Sequence, residues 1–252
     1  MARFLPLFLL FVPFLMWLAH GPVHQFADYH AFADKRAWMG IPNAGDVLSN
    51  LAIAAPGIWG LWAFRDRAAR AALGAAWPGY ALFFAALALT SLGSGYYHLA
   101  PDNGRLVWDR LPIALACAGL LAGARADTVA RDQSVWVTVA LAIAAVASVH
   151  WWTFTEARGS DDLGPYLLFQ LAPMLVVPVW QALGRSPRYE RLAFAAAIAL
   201  YLIAKVAEFS DYRVLATVGL SGHTFKHLFA GAAAFVLVAP IVRRVASRPR
   251  AG

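Results

Sequence analysis

Apolar residues fall in blocks of roughly twenty along this chain, separated by short polar stretches. After Arg3, residues 4 to 19 (Phe4 to Ala19) are almost wholly apolar. Residues 20 to 45 are polar by comparison. They carry His20, His24, Asp28, His30, Asp34, Lys35 and Arg36, then Gly40-Ile41-Pro42-Asn43. Seven further apolar segments cover about 46–64, 77–98, 109–124, 135–152, 164–182, 191–208 and 222–242. Each is close to the ~20 residues that a helix needs to cross the hydrocarbon core of a bilayer. The breaks are polar or rich in Pro and Gly: Arg65 to Arg70, Pro101 to Arg105, Arg125 to Gln133, Arg158 to Gly164, Gly184 to Arg188 and Asp211 to Gly222. Tryptophans gather near segment ends (Trp59, Trp62, Trp77, Trp108, Trp136, Trp151, Trp152), where amphipathic rings anchor at the interface. The pattern predicts an all-α polytopic membrane bundle with a seven-helix core and an extra N-terminal helix. That first segment reads as a signal peptide or a first span. Without a clear A-x-A cleavage site after it, an uncleaved helix is expected.

Composition supports the same class. Of 252 residues, 61% are hydrophobic and 14% charged, against roughly 25% charged in soluble domains. Mean hydropathy is +0.58. The net charge of +7 does not imply nucleic acid as a partner, because the arginines sit in short loops and the C-terminal tail rather than on one face. Arg3, Arg65, Arg67, Arg70, Arg125, Arg131, Arg185, Arg188, Arg191 and the tail arginines (Arg243, Arg244, Arg248, Arg250) share one side, which the positive-inside bias makes cytoplasmic. The expected organisation is an N-terminal helix (1–20), an external polar loop (21–45), a seven-helix domain (46–244) and a basic cytoplasmic tail (245–252). Cys117 is the single cysteine, so neither an intrachain disulfide nor a Cys-based zinc site can form.

The chemistry concentrates at one stretch, Ser221-Gly222-His223-Thr224-Phe225-Lys226-His227. Positions i and i+4 share a helical face, so His223 and His227 point the same way and can share a metal ion. In an isolated pair, each imidazole could equally find its own hydrogen bond. A second element, Ser91-Leu92-Gly93-Ser94-Gly95-Tyr96-Tyr97-His98, sets Ser94 and His98 at the same spacing. Asp109 follows at the start of the next segment. Antiparallel neighbours place the end of one helix level with the start of the next, so His98, Asp109 and the start of the last helix are expected at one depth, on the external side. Three imidazoles and a carboxylate suit a catalytic zinc with an open position for water, whose pKa the metal lowers toward ~7. Asp109 could accept a proton and Ser94 could hydrogen-bond an oxyanion. Singly, Asp109 also reads as a salt-bridge partner of Arg110 or Arg105, and Ser94 as a small packing residue. Lys226 could meet Glu208 or Asp211, or snorkel to the interface.

Ser94-x-x-x-His98, Asp109 eleven residues later and His223-x-x-x-His227 together resemble the alkaline ceramidase family, within the wider CREST group of membrane hydrolases. Asp46-Val47-Leu48-Ser49-Asn50-Leu51, Tyr96 to Asn103 and Trp108-Asp109-Arg110-Leu111-Pro112 look like its bacterial members. The resemblance spans about Asp28 to Ala234. It implies a seven-helix bundle holding an intramembrane zinc that hydrolyses the amide of ceramide, or of a ceramide-like membrane lipid, to an amine base and a fatty acid. By position it makes His98, His223 and His227 the zinc ligands, and sets Asp109 and Ser94 beside the attacking water. Eukaryotic members also carry an acidic calcium loop. Here that region offers Asp28 and Asp34, with Asn43 where a Glu is expected, which argues against calcium. The Ala/Arg-rich composition suggests a bacterial inner membrane. A seven-helix lipid receptor with a structural zinc, or a proton-coupled transporter, are the competing readings.

Overall fold

The computed structural model describes residues 4–65 and 67–247, apart from the side chain of Leu5. Arg3 and the tail from residue 248, both used above to orient the chain, lie outside them. Among the described residues the chain is helical, with no strand beyond one isolated bridge between Trp38 and Ile41. Every apolar block forms helix: α1 (Phe8–His20), α2 (Ala44–Leu48) with α3 (Leu51–Ala63), α5 (Trp77–Leu99), α6 (Asn103–Thr128), α7 (Val135–Glu156), α8 (Gly164–Leu183), α9 (Arg188–Phe209) and α11 (Gly222–Ala246). Two shorter helices, α4 (Arg67–Leu73) and α10 (Asp211–Val218), fall in stretches read above as breaks. Their Ala content and, in α10, an amphipathic pattern suffice for two turns of helix. Gly219, left-handed at φ 78°, then ends α10.

Six helices among the described residues are long and apolar enough to cross a membrane: α5 together with α4, then α6, α7, α8, α9 and α11. The first two blocks are shorter. α1 has 13 residues with Pro13 inside. The 46–64 block divides at Ser49–Asn50. The Asn50 side-chain amide donates to Asp46 O at 2.8 Å and Val47 O at 3.3 Å, carbonyls that the helix backbone would otherwise use. Ile53 N then bonds Asn50 O, a tighter i−3 turn.

α5 packs most broadly on α6, and α11 on α9, with α3 bridging α5 and α11. Two glycines set the closest approaches. A Cβ on Gly93 would lie 1.9 Å from the Trp108 carbonyl oxygen, far inside contact distance, and one on Gly222 would lie 2.0 Å from the Ala207 carbonyl oxygen. At the far end, Arg244 of α11 pairs with Asp127 of α6 at 2.6 Å, and Tyr80 of α5 donates to the same carboxylate at 3.0 Å.

The polar stretch 21–43 has no regular helix. It runs as a strap over one end of the bundle and is held through both its backbone and its side chains. Asp162 accepts from Val23 N at 3.0 Å, Asp161 from Gln25 N at 3.0 Å, Asp211 from Ala33 N at 2.8 Å and Asp34 from Gly45 N at 2.7 Å. Asp162 also takes the indole N–H groups of Trp17 and Trp151, which docks α1 against α7 and α8.

Replacing Gly93 with Ala is expected to cost about 1–3 kcal/mol, read as a lower unfolding midpoint in detergent. Gly95→Ala, whose Cβ would meet only the Val47 carbonyl at 3.9 Å, should be neutral or slightly stabilising. Burial pushes the Asp162 carboxyl up, but donation from Trp151, the Val23 and Gly164 amides and Trp17 outweighs it and holds the carboxyl below its usual range. Its stabilisation is therefore present above the unfolded-state value near ~4 and is lost as pH falls through the lower folded value. Asp162→Asn should lower stability at neutral pH by about 1–3 kcal/mol and remove that part of the acid sensitivity, as followed by tryptophan fluorescence.

Candidate metal centre

His98 comes from the last turn of α5, and His223 and His227 from the first two turns of α11. Ser221 caps α11, with its hydroxyl accepting from Thr224 N at 2.8 Å. That places the helix start, and with it both histidines, beneath the strap. Ser221 and Thr224 also donate to Asp46 Oδ1, at 2.5 and 2.8 Å, which ties α11 to α2. Asp211 accepts from His223 N at 2.9 Å and so joins the start of α11 to the strap through Ala33.

The three imidazoles meet as the sequence spacing predicts. All are buried, and one nitrogen from each lies within 4.8 Å of the others. His98 Nε2 and His223 Nε2 are 3.1 Å apart. Ring centroids are separated by 4.6 to 5.0 Å, a near-equilateral triangle. Two nitrogens bound tetrahedrally at about 2.0–2.1 Å from one ion lie about 3.4 Å apart, so the three imidazoles are close enough together to hold a metal ion. Hydrogen bonds do not close the cluster, because His98 Nδ1 is buried without a partner among the described residues. The donor set therefore fits a metal ion. No other group of three or more such side chains occurs among the described residues. Asp34, considered above for calcium, instead binds Arg36 at 2.9 Å and Gly45 N.

Neighbouring side chains orient the rings. Ser49, at the α2–α3 break, bonds His227 Nδ1 at 2.8 Å and leaves Nε2 for the centre. Glu208 Oε1 lies 3.9 Å from His223 Nδ1. The Ser49 hydroxyl is a partner of the kind that fixes the tautomer and direction of metal-binding histidines, while Glu208 lies beyond hydrogen-bond reach of His223. Phe32 of the strap packs edge-on to His98 and His223, with centroids 4.7 and 4.4 Å away, and excludes water from above. Asn43 donates to His98 O at 2.8 Å.

Asp109 sits differently from the expectation. α6 begins at Asn103, capped by Asp102, so Asp109 lies about 9 Å into the helix rather than at its start. It is level with Gly93 and Ser94, one turn deeper than His98, and it interacts with the Ser94 hydroxyl. No ion pair joins it to arginine among the described residues. Arg105 pairs with Asp102 at 3.5 Å. Arg110 turns away into an aromatic box, 4.0 Å from the Trp152 ring and 5.1 and 5.5 Å from Tyr29 and Tyr166. Lys226 does not snorkel outward. It donates to Glu208 at 2.6 Å, and Lys205 holds the other oxygen of the same carboxylate.

The sequence reading gave no role to Ser49 or Phe32. Both act across 66 to 191 residues of chain, and no local spacing marks such contacts. No protein-family model matches the chain, and no curated protein or solved structure matches it.

Purified protein is expected to carry about one transition-metal ion per chain by elemental analysis. His98→Ala should abolish retention of that ion, and Ser49→Ala should weaken it about 10–100-fold.

Proposed function

We propose that the chain is a zinc-dependent intramembrane amidohydrolase. It would cleave the N-acyl amide of ceramide, or of a ceramide-like lipid, to an amine base and a fatty acid. The observation that carries this reading is a three-imidazole centre buried in an apolar bundle, with a carboxylate and a hydroxyl one turn below it. Three nitrogen ligands and an open position are the donor set of catalytic zinc, and they distinguish it from the four-ligand structural site. Bound zinc would supply Lewis acidity toward the amide carbonyl and toward the attacking water.

The protein's own groups have separate tasks. His98, His223 and His227 hold the ion, and Ser49 holds the His227 ring in direction. Asp109 accepts the proton of the attacking water as the new C–O bond forms, then returns it to the nitrogen as the C–N bond breaks. Ser94 donates to the carbonyl oxygen as it gains charge. Phe32 and the strap shut off bulk water, which strengthens each of these interactions. The acyl chain enters between helices from the lipid. Several large side chains of α9 face outward, including Leu202, Val206 and Phe209, and provide an apolar approach. In the proposed orientation the site faces the external side of a bacterial inner membrane and the C-terminus is cytoplasmic.

Incubating the purified protein with ceramides, N-acyl amino lipids and N-acyl ethanolamines, with and without a chelator, tests the proposal through released fatty acid. Chelation, His98→Ala and Asp109→Asn are each expected to lower turnover at least about 100-fold. Stoichiometric zinc with no turnover of any acyl amide would refute the proposal and leave a lipid receptor as the better reading. Ion flux in proteoliposomes, abolished by Asp109→Asn without hydrolysis, would favour a transporter.

A further inference from the structure

Lys226 has no task in the chemistry above, yet it stands closest to it. Its Nζ lies 3.4 Å from His223 Nε2, the same nitrogen that faces His98 across 3.1 Å. An ammonium at that spot opposes any cation among the imidazoles. Glu208 offsets the charge only in part, because its carboxylate is shared with Lys205 of its own helix. The group is also not sealed. The side chains of Lys226 and Glu208 are 25% and 18% exposed, against 4% for His223. A partly open ammonium beside a metal-binding centre is the arrangement that accepts an anionic group from a substrate whose reacting atom lies at that centre.

Spacing narrows the anion. In an N-acyl α-amino acid the carboxylate carbon is two bonds from the amide nitrogen. Its oxygens therefore lie only a few ångströms from the acyl carbonyl oxygen, comparable to the Nζ–Nε2 separation. In an N-acyl phosphoethanolamine the phosphate lies two carbons and an oxygen away from the amide nitrogen, and so sits farther out. We propose that Lys226, backed by Glu208 and Lys205, is a specificity subsite for a substrate carboxylate. The preferred lipids are then N-acyl α-amino acids rather than neutral ceramides. This rests on the amidohydrolase reading for its consequence in turnover, though not for binding.

The full-length protein in detergent is assayed on N-oleoyl glycine, N-oleoyl ethanolamine, a ceramide and an N-acyl phosphoethanolamine, with zinc content measured in parallel. The wild type is expected to favour N-oleoyl glycine over the ethanolamide by about tenfold or more in kcat/KM. Lys226→Gln should raise KM for N-oleoyl glycine about tenfold with kcat little changed, should shift KM for the ethanolamide far less, and should leave zinc content no lower. Lys226→Arg should keep most of the preference. Equal losses on charged and neutral substrates would make Lys226 structural and overturn the proposal. A preference for the phosphate lipid or for ceramide would also overturn it. If no acyl amide is hydrolysed at full zinc occupancy, the amidohydrolase reading fails by itself. Equilibrium binding of N-oleoyl glycine against N-oleoyl ethanolamine then decides the subsite: weakening by Lys226→Gln confined to the acid upholds it, and indifference sinks it.

Discussion

Two backbone-to-backbone approaches tighten the helices that flank the three imidazoles. At Gly93 the carbonyl of Trp108 sits where a side chain would begin, and at Gly222 the carbonyl of Ala207 does the same. Each contact removes a side chain's thickness between neighbouring helices. The first draws α6 against α5 and sets Asp109 beside Ser94. The second draws the α9–α10 corner against the start of α11 and brings Glu208 to His223 and Lys226. Small residues at helix crossings are the usual means of close approach in lipid, where association rests on packing rather than on expulsion of water.

That close packing removes water from the polar residues, so they must satisfy one another. Asp46 takes the hydroxyls of Ser221 and Thr224, Ser49 takes His227, and Asp211 links the strap to α11. Buried polar groups that are paired in this way fix a single arrangement of the elements carrying them. Arg110 follows another rule. Its guanidinium lies against the faces of three aromatic rings, and Gln25 accepts from it at 2.6 Å. Weak hydration of the guanidinium makes such a box tolerable.

Much of this was legible in the chain. The apolar blocks located the main helices, since a twenty-residue run has few alternatives. The i, i+4 pairs of Ser94 with His98 and of His223 with His227 placed those side chains on common faces, and antiparallel succession brought the two faces to one end. The depth of Asp109 was misjudged because α6 begins six residues before it. Asp102, a good N-cap after Pro101, is the signal that marks this start. The path of residues 21–43 was not legible, because its anchors at Asp161, Asp162 and Asp211 are more than a hundred residues distant along the chain. Local spacing paired His223 with His227, whereas His98 joined them only through the expected succession of helices. The grouping of Lys226, Glu208 and Lys205 was not legible, because spacing alone could pair them in several ways.

At three points the strap is gripped by carboxylates closing on its main-chain N–H groups. An amide presents the same donor whatever side chain it carries. At Val23, Gln25 and Ala33 the grip does not read the side chain, and this part of the route depends on Asp161, Asp162 and Asp211 in other parts of the molecule. Kinship traced through that segment's letters would fade long before its shape did.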